Sequence, residues 1–160
     1  MEVLLIRYER PVYNAAYRML HNQDDARDVT QTVFLKVFEH IDQFDPQRRF
    51  FSWIYRIALN ESINWLKKTS RLRPIDDNVA DDSGGPEQNA DNQRLGEDMQ
   101  AALMTISPEY RQVVVLKHAL GCTYREIAEV LEIPEKTVKS RLYTARQQLM
   151  DELTARGAHS

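Results

Sequence analysis

One cysteine in 160 residues, Cys122, excludes an internal disulfide and any zinc site built on several cysteines, in keeping with a reducing compartment. It is read as a small packing residue. No apolar run approaches the roughly 20 residues of a membrane span, and Met1–Ile6 lacks a signal-peptide layout, so a cytoplasmic protein without membrane insertion is expected. The five glycines form no phosphate-cradling loop, and His21, His40, His118 and His159 show no metal-ligand spacing. The acid pairs Asp24-Asp25, Asp76-Asp77 and Asp81-Asp82 suit helix dipoles or a linker better than a two-metal site. The expectation is a protein with no catalytic residue, metal or cofactor. Strand-like alternation of apolar and polar residues is missing as well.

What the chain does have is helical periodicity and segregated charge. A net charge of −3 hides a block from Gln47 to Arg73 at +6 and a block from Pro74 to Gln100 at −7. The stretch from Pro74 to Asn92, with Gly84, Gly85, Pro86 and almost no large apolar residue, cannot bury enough surface to fold and reads as a flexible acidic linker. It separates two all-α modules, residues 1–73 and 93–153, with residues 154–160 as a tail. Its charge would be repelled by free DNA and would suit a basic nucleic-acid channel, or it is a soluble tether and no more.

In the first module, Leu4, Leu5, Tyr8, Val12, Ala15, Ala16, Met19 and Leu20 recur at three- and four-residue steps, predicting one helix that Pro11 either kinks or bounds. A second helix is predicted from Asp24 to Ile41, with Ala26, Val29, Val33, Val37 and Ile41 inward. A third follows from Phe51 to Lys68, with Ile54, Ile57, Ala58 and Trp65 facing a core. In the second module Met99, Leu103 and Ile106 mark a short helix, and Ser107-Pro108-Glu109 offers an N-cap, a first-turn proline and a dipole-matched acid. Gly121 suits a left-handed helix stop, and Thr123-Tyr124-Arg125-Glu126 fits a capping box. That box starts a helix with Ile127, Ala128 and Leu131 inward.

The short turn Glu132-Ile133-Pro134 then predicts a helix-turn-helix. The final helix anchors itself through Val138, Leu142, Ala145 and Leu149, leaving Thr137, Lys139, Ser140, Tyr143, Thr144 and Gln147 on the opposite face, with Lys136, Arg141 and Arg146 at its flanks and no acid from Lys136 to Arg146. Such a face suits the major groove, where N-terminal side chains reach base edges and cations hold phosphates. A solvated helical hairpin would not require that charge bias.

Arg48, Arg49, Phe50, Arg56, Lys67 and Lys68 lie in a segment that interleaves cations with aromatics, a pattern suited to single-stranded nucleic acid, where rings stack on bases and cations follow the backbone. Trp53 and Ile54 are read as core. Asn60 and Asn64, four residues apart, could bond an extruded base or simply face water.

These segments resemble the extracytoplasmic-function (ECF) sigma factors over nearly the whole chain. Asp25–Gln31 with Val33–Phe38 looks like the helix that binds the clamp helices of RNA polymerase's largest subunit. Phe50–Leu66 is similar to the promoter-melting and minus-ten segment, and Ile106–Leu149 to the minus-thirty-five reader. The resemblance implies core-polymerase contacts at Asp28, Gln31, Thr32 and Leu35, and capture of a flipped base near Asn60. It also implies upstream-element contacts at Lys139, Ser140 and Tyr143. Two positions depart from the family pattern: Thr32 where glutamate is frequent, and Thr144 where a relative carries arginine. Leu35 falls off the inner stripe of its helix, so it is either an exposed leucine awaiting a partner or buried under a neighbouring helix. Only seven residues precede Tyr8, so a shortened first helix is expected, with no additional autoinhibitory region before it. Implied partners are core RNA polymerase, promoter DNA and an anti-sigma factor that could hold the protein near a membrane. The rival reading is a stand-alone helix-turn-helix regulator acting without polymerase.

Overall fold

The computed structural model describes residues 2–47, 49–72 and 90–157, and among these every regular element is a helix. Arg48 and residues 73–89, most of the expected linker, lie outside them. Helix α1 (Glu2–Leu20) passes through Pro11 without a boundary, buries Val12, Ala15, Ala16 and Met19, and stops at His21, whose φ of 55° is left-handed. The His21 N–H closes that end onto the Tyr17 carbonyl at 2.7 Å. Helix α2 (Gln23–His40) starts on a cap that the sequence reading does not include: the Asn22 side chain accepts from the Asp25 N–H at 2.9 Å. Its inner stripe is Ala26, Val29, Val33 and Val37, and a single 3₁₀ turn, Ile41–Gln43, ends it.

Helix α3 (Phe50–Leu72) is longer than periodicity predicts and packs on both α1 and α2. Ile54, Ala58 and Leu59 are buried, Ile57 and Trp65 half-buried. Among the described residues, the Trp65 indole N–H is buried with no acceptor. Trp53 packs in an aromatic group with Phe44 and Phe50, at ring distances of 5.1 and 5.7 Å.

The second module holds α4 (Ala90–Thr105), α5 (Pro108–Val114), α6 (Tyr124–Leu131) and α7 (Glu135–Gly157). Helix α4 begins inside the stretch read as linker, and α7 continues through residues 154–157, read as tail. Ser107 takes the N-cap position of α5, but its side chain makes no capping hydrogen bond; its carbonyl accepts from the Tyr110 and Arg111 N–H groups instead. A five-residue π-helical turn, Val115–Ala119, continues α5. Val113, Val114, Val115 and Leu116 are all buried, although consecutive helical residues spread around most of a helix circumference. That is possible because α7 covers one side of this segment and α1 the other.

Gly121 has φ 70°, as a left-handed stop requires, and the capping box forms: Glu126 N–H to Thr123 Oγ1 at 3.1 Å and Thr123 N–H to Glu126 Oε1 at 2.9 Å. Val130, rather than Ala128 or Leu131, joins Ile127 as the fully buried pair of α6. Glu132, at φ 57°, turns the chain toward α7, and Pro134 stands just outside that helix, its carbonyl accepting from Thr137 and Val138.

The two modules share a seam. Arg111 of α5, only 4% exposed, donates to Leu103 O (3.0 Å), Met104 O (3.3 Å) and Ile106 O (3.0 Å), and also to Met19 O at the end of α1 (2.6 Å). One guanidinium thus satisfies carbonyls left over at the C-terminal ends of two helices, one from each module. Beside it Arg18 and Gln100 bond reciprocally, each at 3.1 Å.

Candidate nucleic-acid interface

Helix α7 carries the expected duplex-facing residues on the side opposite its buried stripe of Val138, Leu142, Ala145 and Leu149. Lys136, Lys139 and Ser140 are exposed, Tyr143 is 69% exposed, and Thr137 and Thr144 are half-buried. The two arginines are steadied by their own module. Arg141 pairs with Glu109 of α5 at 3.0 Å, and Arg146 lies 3.3 Å from His118 Nε2 on the π-helical turn. Burial, then the charges of Arg146 and Lys117, hold the His118 imidazole below its ordinary value of 6.5, which favours the neutral ring able to accept from Arg146. Tyr124 adds an aromatic seat: the Lys117 and Lys139 ammonium groups lie 4.8 and 5.8 Å from its ring centroid. Glu109, His118 and Tyr124 are absent from the sequence-predicted set because they sit on other elements. Only the folded chain brings them to α7.

The expected strand-binding residues are spread along α3. Asn60, Asn64, Lys67 and Lys68 are exposed, each pair available to solvent. Phe50 is half-buried against Tyr8, Phe44 and Trp53, so its ring belongs partly to the module's own aromatic packing. Arg49 and Arg56 point toward α6. Arg49 lies 3.8 Å from Glu126 and 3.6 Å from Glu129, and Arg56 pairs with Glu132.

The expected polymerase-facing set lies on the outer side of α2. Asp28 and Gln31 are exposed, and Thr32 is half-buried with its hydroxyl donating back to the Asp28 carbonyl at 3.0 Å. Leu35 is 63% exposed, which decides between its two readings in favour of an uncovered side chain. Phe38, one turn on and 57% exposed, extends the apolar patch beyond the predicted residues.

Comparison with known proteins fits this geometry. Residues 4–72 match the Sigma-70 region 2 model, and residues 96–149 match the Sigma-70 region 4 model. Over 158 residues the chain is 33% identical to the ECF RNA polymerase sigma factor SigW of Bacillus subtilis, covering 91% of this chain and 84% of that protein. The chain belongs to the extracytoplasmic-function sigma factors. It is also 40% identical over 147 residues to SigE of Mycolicibacterium smegmatis, where the match covers 89% of this chain but 57% of that relative. Among solved structures it superposes on CnrH in complex with the cytosolic domain of CnrY with a TM-score of 0.73 and 27% identity, over 96% of this chain and 87% of that one. The fold also matches the sigma factor RpoE of Bartonella quintana, in complex with the anti-sigma factor NepR, at a TM-score of 0.79 and 22% identity over 96% of both chains. Membership in this family separates the chain from stand-alone helix-turn-helix regulators.

Proposed function

We propose that the chain is a non-catalytic specificity subunit that docks on core RNA polymerase through the outer face of α2 and reads an upstream duplex element with α7. In this reading α3 holds the melted strand, with Asn60 at the flipped base and Arg49, Arg56, Lys67 and Lys68 along the backbone. The observation that carries it is the pair of separate surfaces on one chain: an acid-free recognition face on α7 and an exposed Leu35–Phe38 patch on α2. A duplex reader acting alone needs only the first. The segment between the modules, residues 74–89, would tether them while they occupy different parts of the promoter. Work of this kind belongs in the cytoplasm. An anti-sigma factor is the proposed negative partner, supported by the likeness in fold to a sigma factor solved in complex with the anti-sigma factor NepR.

The test is run-off transcription. Adding the chain to core polymerase is expected to produce promoter-dependent transcripts, and Leu35→Asp with Phe38→Asp to abolish them by preventing assembly. Tight, specific promoter binding by the purified chain, unchanged by core polymerase, would sink the proposal.

A further inference from the structure

The seam between the modules ends on residues that the reading above assigns to DNA. Glu126, Glu129 and Glu132 recur at three-residue steps along and just beyond α6, forming a row of carboxylates on one edge. Opposite them stand Arg49 and Arg56, paired as described. Arginine recognises carboxylates and phosphates through the same fork of N–H donors, so a row of acids and a nucleic-acid backbone compete for one partner.

We propose that the acidic edge of α6 is an internal ligand for the strand-binding surface of module one, and that single-stranded DNA gains that surface only when α6 is displaced. The inference rests on the reading that Arg49 and Arg56 take the melted strand.

The division of labour follows from burial. Arg49, Arg56 and their acids are partly exposed, so each pair contributes little binding and is screened by salt. Closure is held mainly by Arg111 on the Met19 carbonyl and by the Arg18–Gln100 exchange, and the arginine–carboxylate pairs add a smaller share. Nearby, the Leu120–Cys122 segment faces Tyr8, Phe51 and Tyr55 across a cleft of about 420 Å³. The carboxylates decide what the closed chain excludes. Cys122 reports on the seam because it is the chain's single thiol and is buried there. Burial pushes its pKa up to about 11, so the thiolate that alkylation requires is scarcer while the seam is shut.

The experiment uses the full chain with Glu129→Gln and Glu132→Gln, sparing Glu126 because it builds the capping box. Circular dichroism confirms that helicity is kept. Two quantities are read without polymerase: the rate of Cys122 alkylation and the affinity for a fluorescent oligothymidylate. Losing these weak pairs is expected to raise both by about fivefold. Glu39→Gln with Asp42→Asn, the same charge change on exposed positions of module one, is expected to leave alkylation unchanged and raise strand affinity less. Unchanged alkylation in the α6 variant overturns the proposal, as does a gain in strand affinity that the control matches. Faster alkylation without any gain overturns it too. The underlying reading fails separately: holoenzyme carrying Arg49→Ala and Arg56→Ala would then open promoters as well as the unaltered chain.

Discussion

The proposed recognition face of α7 and the proposed strand face of α3 use the same residue types, but their cations are held from different places. Arg141 and Arg146 lean on Glu109 and His118, which belong to the same module and move with it. Arg49 and Arg56 lean on acids of the other module. A surface whose supports travel with it keeps its shape however the modules are arranged. One whose partners lie across a seam changes its chemistry when the seam opens. On the proposed reading, the duplex reader is therefore preorganised, while the strand reader is conditional.

The strongest way to break this contrast is to remove the guanidinium at the joint. Arg111 is protonated at neutral pH even though burial lowers its pKa to about 10, so Arg111→Met strands carbonyls at the ends of α1 and α4. A loss of about 3–5 kcal/mol is expected in denaturant unfolding. A loss below about 1 kcal/mol would mean that solvent replaces these bonds freely.

A smaller effect sharpens the contrast. In duplex-binding assays, Lys139→Ala is expected to weaken affinity about tenfold on every sequence and to lower the salt dependence by about one counterion, the behaviour of a phosphate contact. Arg56→Ala should leave duplex affinity unchanged. If both variants lose duplex binding equally, the two faces are not distinct.

The smallest effect is a pH dependence. The folded state holds His118 below 6.5, so the unfolded chain binds more protons just below that pH. The stability contribution is complete above about pH 6.5 and is lost as pH falls through the lower folded value. Thermal melts at pH 7 and pH 5 should show a modest decline that His118→Gln reduces, with Arg146 losing its acceptor in the acidic form.

The helices were legible because their signals are local. The inner stripe of α2, the capping box at Thr123, the left-handed Gly121 and the anchor stripe of α7 each depend on residues within a few turns of one another. Ser107 shows the limit of that logic, since its position follows the pattern while its side chain does not cap. The seam was illegible for a different reason. Arg111 bonds backbone carbonyls, one of them 92 positions away, and carbonyls carry no sequence signature. The acids of α6 look like an ordinary solvated edge until α3 is placed against them. The segregation of charge, with a +6 block at Gln47–Arg73, was the one hint that such an edge would find a partner. Phe38 escaped because an exposed aromatic on a helix is recognised only once its neighbours are known.

Both tryptophans of the chain, Trp53 and Trp65, lie on α3. Intrinsic fluorescence is thus a private channel for module one, while the tyrosines are divided between both modules. Trp53, among Phe44 and Phe50, sits one turn from Arg49 at the head of the proposed strand face, whereas Trp65 lies three turns away with its indole N–H buried and, among the described residues, without an acceptor. Quenching of one emission component by a nucleotide strand, with the other left bright, would give the conditional surface its own optical signature without a single added label.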